Sequence, residues 1–277
     1  MDCYPRRPVV VPPKPATPRR AWVRAPGDAY VDCLRTHPEG APDVARALDE
    51  HEGYVRALED AGVEVVRVPA AEGLPDACFV EDVAVVLDHE VAVLTRPGAP
   101  SRRLEVADLA PRLAASLVLW PLRAAATLDG GDVLRLGARL LVGRSRRTNR
   151  EGIEQLRGFA TPRGLEVVEV EVARGLHLKS ACTALDAHTV VVDPDALDPA
   201  VLERLDLTVH PVPEPLGANV LAFEDRVLVS AAAPRTADGL EARGWRVVRI
   251  CVGEFHRGDG ALSCLSLRQP PEGGWSV

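Results

Sequence analysis

Short runs of branched aliphatic residues recur along the chain in pairs. Each pair is split by a tight polar turn. The pairs read CFVEDVAVVLDHEVAVLT (Cys78 to Thr95), LDGGDVLRLGARLLVG (Leu128 to Gly143), SACTALDAHTVVVD (Ser180 to Asp193) and GANVLAFEDRVLVS (Gly217 to Ser230). Each predicts a hairpin of two buried strands. Between them the period changes from two to that of a helix. DVARALDEHEGYVRALEDAG places Val44, Ala47, Leu48, Val55 and Leu58 along one stripe, Gly62 ends it, and the strand VEVVRVP follows. NREGIEQLRGFATPRG then LEVVEVEV repeats that order, and so does ADGLEARG then WRVVRICV. The unit is hairpin, helix, strand, with starts roughly 40–55 residues apart, in the range of repeat architectures.

Such units cannot bury their apolar faces alone and must stack. Pairing the opening AWVRAP segment with the closing LSCLSLR strand supplies one more unit and brings the count to five. The fold class is α/β. A closed five-bladed ring removes exposed sheet edges, and an open α/β sheet is its alternative at this stage.

Composition narrows the function classes. The chain has 277 residues, 47% hydrophobic and 26% charged, with a net charge of −7. That is ordinary for a globular domain. An acidic surface repels phosphate, so nucleic acid is not an expected partner. No apolar run approaches the roughly 20 residues that span a bilayer, so no membrane association is expected. Residues 1–20, rich in proline and basic side chains, predict a disordered tail. Residues 21–270 predict a single domain, and 271–277 a short C-terminal tail. Cys3, Cys33, Cys78, Cys182, Cys251 and Cys264 show no paired spacing, which predicts free thiols and a cytoplasmic setting. No Cys or His group has metal-ligand spacing, so no metal is expected. There is no phosphate-binding loop, dinucleotide fingerprint or serine-nucleophile elbow.

A few polar residues in apolar surroundings are candidates for chemistry. His177, in GLHLKSAC, starts a strand-like run, and Cys264 sits in DGALSCLSLR. Taken singly, such a histidine is more often a structural one, and a buried cysteine more often a small apolar residue. Glu81 and Asp82 open an apolar strand, where a charge is costly unless paired. Their plainer reading is a strand end in water. In TLDGGDVL two acids flank Gly130 and Gly131, and a simple glycine turn explains Asp132. PSRRLE and GRSRRTNREG supply arginines suited to bidentate capture of a carboxylate, although most are expected on a solvated face. One thiol, one imidazole, acids and arginines together suit a free amino acid with a guanidinium tail.

CFVEDVAVV, LTRPGAPSRR, TLDGGDVL, RRTNREG, LHLKS and DGALSCLSL, in this order, resemble dimethylarginine dimethylaminohydrolase from about Ala21 to Arg268. The resemblance implies a five-bladed α/β propeller and hydrolysis of N-methylated arginine to citrulline and an alkylamine, with no cofactor. By position it implies Cys264 as nucleophile, His177 as general acid/base and Asp129 as its orienting carboxylate. It also implies Glu81 and Asp82 as guanidinium ligands and Arg102 and Arg147 as the clamp on the substrate carboxylate. Asp76 and the Gly258 carbonyl would take the α-amino group, and Leu34 would belong to a lid. Phe79, beside the two acids, would line a slot for N-methyl groups. The lid segment matches the family pattern loosely, and the glycine before Asp259 predicts a more mobile turn there.

Two other functions fit parts of the pattern. Arginine deiminase has the same chemistry with ammonia as leaving group, but it typically carries an inserted helical domain for which these contiguous repeats leave no room. A non-catalytic propeller would serve as a binding platform, and it has no use for the full set Cys264, His177, Asp129, Glu81 and Asp82. The expected partner is a small-molecule substrate. A homodimer is compatible with this reading, and no residue fixes it.

Overall fold

The computed structural model describes residues 16–36, 40–172 and 174–272. Among these residues, fifteen strands form five three-stranded sheets. In each, a central strand pairs antiparallel with one neighbour and parallel with the other. The four internal hairpins are Ala84–Val86 with Val91–Leu94, Val133–Leu136 with Arg139–Arg144, Cys182–Ala184 with Thr189–Val192, and Leu221–Ala222 with Val227–Ser230. A helix and a third, parallel strand follow each one. The sequence had marked two of those helices, Arg150–Ala160 and Pro234–Glu241. It had not marked Arg103–Leu113 or the five-residue Pro199–Glu203, which is too short to show a period.

The fifth sheet joins the chain ends. Arg20–Arg24 pairs antiparallel with Leu267–Gln269 and parallel with Glu64–Val68. Packing closes the same ring. Each of five apolar clusters draws on two neighbouring sheets: Trp22 with Ala92, Val91 with Leu140, Leu141 with Val190, Val191 with Val229, and Leu228 with Val23. The result is a five-bladed α/β propeller. Arg20 lies within the first strand, and residues 1–15 of the expected N-terminal tail fall outside the described residues, as do 273–277. Among the described residues no helix is long and apolar enough to cross a membrane, and the five cysteines described are free.

The first helix runs Val44–Asp60, with Asp43 capping it by accepting the Arg46 N–H at 3.1 Å. Ala47, Val55 and Leu58 are buried as the stripe requires, but Leu48 is 40% exposed. His51 and Tyr54 take the inward face instead. His51 lies four residues from both Ala47 and Val55, and Tyr54 four from Leu58, which puts them on the same face as the stripe.

One regularity positions the site. The first strand of every blade is preceded by a single helical turn: Val80–Val83, Gly130–Asp132, Leu178–Ala181, Pro215–Ala218 and Leu262–Leu265. The sequence suggested that Glu81 and His177 open strands and that Cys264 lies within the closing one. Instead they lie in, or just before, these turns, and the strands begin at Ala84, Cys182 and Leu267.

Candidate active site

Four of the five turns contribute to one cleft. Asp82 comes from the second blade, Asp129 immediately precedes Gly130–Asp132, His177 precedes Leu178–Ala181, and Cys264 lies within Leu262–Leu265. The cleft, narrow and open to solvent, is lined by Asp76, Phe79, Asp82, Arg102, Arg147, His177 and Cys264. Leu34, Gly258 and Asp259 form its rim. Of the site residues that the family resemblance implied, Asp129 and Glu81 do not line it.

Asp129 lies directly behind His177, with His177 Nε2 2.9 Å from Asp129 Oδ2 and both residues buried. Asp129 is itself held by the Gly98 N–H at 2.8 Å, and Arg147 Nη1 lies 3.4 Å away. Burial disfavours an imidazolium. The charges of Asp82 and Asp132 and the bond to Asp129 outweigh it and hold the His177 pKa up at about 9. Gly131 lets the ring approach. A Cβ there would stand 2.6 Å from His177 Nδ1 and 2.8 Å from Asp82 Oδ1, while the Gly131 N–H donates to that same oxygen at 2.8 Å. Gly131 is thus a space requirement set by the histidine, and Gly130 one set by the Glu81 carbonyl, which a Cβ there would overlap.

Cys264 is partly exposed to the cleft. Burial, then the charges of Glu81 and Asp82, push its thiol up to about 12. Burial also disfavours the Asp82 carboxylate. His177, Arg102 and the Gly131 N–H reverse this and hold Asp82 well below the usual carboxylate range. At neutral pH the cleft therefore carries a thiol, an imidazolium and an ionised Asp82.

The rim is clasped in place. The Leu34 N–H donates to Asp76 Oδ1 at 3.0 Å, and Thr36 donates to Asp259 from its backbone at 2.5 Å and its hydroxyl at 2.9 Å. Asp259 adopts the left-handed conformation, φ 56°. A Cβ at Gly258 would meet the Tyr30 hydroxyl at 2.7 Å and Cys33 Sγ at 2.9 Å. The glycine that suggested a mobile turn is thus required by close packing. Residues 37–39 of the expected lid lie outside the described residues.

Three expectations are corrected. Glu81 was expected beside Asp82 on the guanidinium, but the two acids diverge. Glu81 turns to a second cavity on the other side of the turns, where Lys179 Nζ lies at 2.6 Å and Arg268 and Ser263 donate at 2.7 and 2.8 Å. Arg102 was expected to clamp a substrate carboxylate, but its fork is largely spent. It reaches Asp82 at 2.5 Å, Glu105 at 2.8–3.2 Å and the carbonyls of Asp76 and Phe79. It is a buried strut that holds Asp82, and Arg147 is the less committed arginine. Asp132 was expected to be an ordinary turn residue. It is fully buried and accepts from Ser145, Thr148 and the Leu178 N–H at 2.6, 2.7 and 2.8 Å, tying the Arg147 loop to the turn that follows His177.

No motif marked Glu105, which is spent on Arg102, or Asn219 and Ser263, whose partners are remote in the chain. Asn149 of RRTN also caps Arg150–Ala160 by accepting the Gly152 N–H at 2.8 Å, which fixes Arg147 just upstream. Asp82, Asp129 and His177 offer ligand atoms within 4.8 Å of one another. Those atoms already serve Gly131, Arg102, Gly98 and each other. A metal would have to displace them, so the arrangement suits proton transfer better than coordination.

A family model of N,N dimethylarginine dimethylhydrolase, eukaryotic, matches residues 35–207. The N(G),N(G)-dimethylarginine dimethylaminohydrolase of Streptomyces coelicolor is 43% identical over 256 residues, covering 90% of this chain and 96% of its own length. The chain belongs to the dimethylarginine dimethylaminohydrolase family. The Pseudomonas aeruginosa relative of that name is 32% identical, over 88% of this chain and 97% of its own. A solved structure of the Pseudomonas enzyme, a cysteine-to-serine mutant complexed with citrulline, superposes with a TM-score of 0.85 at 31% identity, covering 91% of this chain and 99% of that one. A histidine-to-glycine form of dimethylarginine dimethylaminohydrolase, as an adduct with S-methyl-L-thiocitrulline, gives the same score at 30% identity. The family's fold therefore extends over nearly all the described residues.

Proposed function

We propose that this protein hydrolyses N-methylated arginine to citrulline and an alkylamine, with Cys264 as nucleophile. The observation that carries the proposal is the convergence of Cys264, His177 and Asp82 on one small cleft, with Asp129 bonded to the back of the imidazole. The relatives named above are hydrolases of this substrate class, and one is held with citrulline.

The chemistry follows from the charges. A guanidinium carbon is a poor electrophile, so it needs a thiolate and a fixed orientation. Asp82 is the ionised acid facing the cleft, and a cationic guanidinium lodged against it offsets the negative charge that keeps the Cys264 proton in place. Substrate binding thus favours loss of that proton to solvent. The thiolate adds to the guanidinium carbon and gives a neutral tetrahedral adduct. His177, cationic in the resting site, donates its proton to the alkyl-bearing nitrogen, and the C–N bond breaks as the amine leaves. A thiouronium cation remains on sulfur. Neutral His177 then accepts a proton from water as the oxygen adds to the same carbon. Collapse breaks the C–S bond, the hydroxyl proton passes to the departing sulfur, and citrulline and the free thiol are released. Asp129 orients the imidazole and stabilises its charged form in both halves. At the far end of the substrate, Arg147 faces the carboxylate and Asp76 the ammonium. Phe79 supplies apolar surface.

The test is competition between equimolar arginine and asymmetric dimethylarginine, with citrulline and the released amine measured separately. We expect dimethylarginine to be preferred at least tenfold in kcat/KM. An unmatched guanidinium N–H against carbon costs about 1–3 kcal/mol, and that suffices. Preferential use of arginine would replace this reading with a deiminase. Cys264→Ser, which keeps the side-chain volume, is expected to stay folded and lose turnover. Retention of more than a few per cent of activity would remove Cys264 from the mechanism.

A further inference from the structure

The turns that line the cleft are a wall with two faces. Asp82, His177 and Cys264 face the cleft, while their near neighbours Glu81, Lys179 and Ser263 face the larger cavity behind. The rear residues form one network. Lys179 Nζ lies 2.6 Å from Glu81 Oε1, and the Ser263 hydroxyl donates to Glu81 Oε2 at 2.8 Å. Asn219 donates to the Lys179 carbonyl and to Ser263 Oγ, both at 2.9 Å, and accepts the Ser263 N–H at 2.9 Å. All four residues are buried. Ser263 is bonded to Cys264 through the chain, so the network reaches the nucleophile directly.

We infer that Lys179 is a positioning residue for Cys264, acting from behind the wall by fixing the Glu81 carboxylate and offsetting its charge at the sulfur. The inference rests on the thiol chemistry proposed above. Among charged groups, Glu81 opposes the Cys264 thiolate most and Lys179 favours it. Asp76, Asp82, Arg102, Arg147, His177 and Asp259 also face the thiol from the cleft. Tyr30 and Tyr54 approach it from the core, and Arg268 is the second cation on Glu81. Among the described residues, only Lys179 joins the Glu81 carboxylate to the turn that follows His177. Its loss leaves a buried carboxylate with one cation in place of two, and the cost falls on the nearest group that must become an anion.

The experiment is alkylation of Cys264 by iodoacetamide without substrate, read from the mass of the Cys264 peptide at several pH values between 7 and 9. In this range the rate is proportional to the small thiolate fraction. Lys179→Met is expected to slow alkylation by about tenfold, the equivalent of one pKa unit. Lys179→Arg should restore most of it. Glu81→Gln/Lys179→Met, which removes both charges, should react at least as fast as wild type. A Lys179→Met rate equal to wild type, or a double variant as slow as the single one, would overturn the inference and leave Lys179 a packing residue. Should Lys179→Met not fold, Glu81→Gln alone must speed alkylation, and an unchanged rate overturns the inference equally. Because no substrate is present, these outcomes are independent of whether wild type consumes dimethylarginine, which tests the proposed reaction separately.

Discussion

His177 Nε2 and Asp129 Oδ2, 2.9 Å apart and both buried, form an ion pair that stabilises the imidazolium in the folded protein. The folded His177 pKa, about 9, stands above its ordinary 6.5. The stability it contributes is therefore fully present below about pH 6.5 and lost as pH rises through 9. The displacement corresponds to about 3 kcal/mol. Thermal melts of wild type and His177→Asn between pH 6 and 10 should converge as pH rises. A constant gap between the two curves would show that the imidazole carries no extra proton.

Arg147 is expected to act on binding more than on chemistry. Its guanidinium is mostly buried at the cleft, and its one carboxylate contact, to Asp129, is a long 3.4 Å. Arg147→Ala should raise KM at least tenfold for a substrate bearing an α-carboxylate. It should change little for an alkylguanidine that lacks one. Equal losses for both would assign Arg147 to holding Asp129.

Gly131→Ala should remove activity without unfolding the protein. The added methyl would lie 2.6 Å from His177 Nδ1, so the imidazole must turn away from its working position. We expect kcat to fall by two orders of magnitude or more, in line with loss of a general acid/base. The His177 imidazole resonances should shift in NMR spectra. Wild-type kcat in the variant would mean that the ring has room the structure does not give it.

Asp132→Ala should act on stability first. It strands the Ser145 and Thr148 hydroxyls and the Leu178 N–H in a buried site. Each stranded group costs about 1–3 kcal/mol, and relaxation recovers part of this. A fall in urea midpoint equivalent to at least about 2 kcal/mol is expected. A neutral outcome would return Asp132 to the ordinary turn residue that its sequence context suggested.

The repeating unit was legible because strand, helix and strand carry different periods, and because AWVRAP and LSCLSLR had no other partner. The single turns before each hairpin were not legible, since four residues are too few to display a period. For the site, motif context located Cys264, His177 and Asp82 at the cleft, while direction was lost. Glu81 and Asp82 are adjacent and chemically alike, yet one faces the cleft and the other the rear cavity. That choice depends on Lys179 and on Arg268, which is 187 residues away in the chain. Arg102 misled for the same reason. A fork suited to a ligand's carboxylate is equally suited to Asp82 and Glu105, and they occupy it first.

The pairing of Leu267–Gln269 with Arg20–Arg24 has a chemical consequence. Cys264 enters the growing chain after His177, Asp129 and Asp82, and it is held in place by the strand that completes the fifth sheet. The Cys264 turn lies directly before that strand, so its place opposite Asp82 and His177 depends on the antiparallel pairing of Leu267–Gln269 with Arg20–Arg24. The cleft is thus spanned by a seam between two distant stretches of chain, and its geometry is only as firm as that seam.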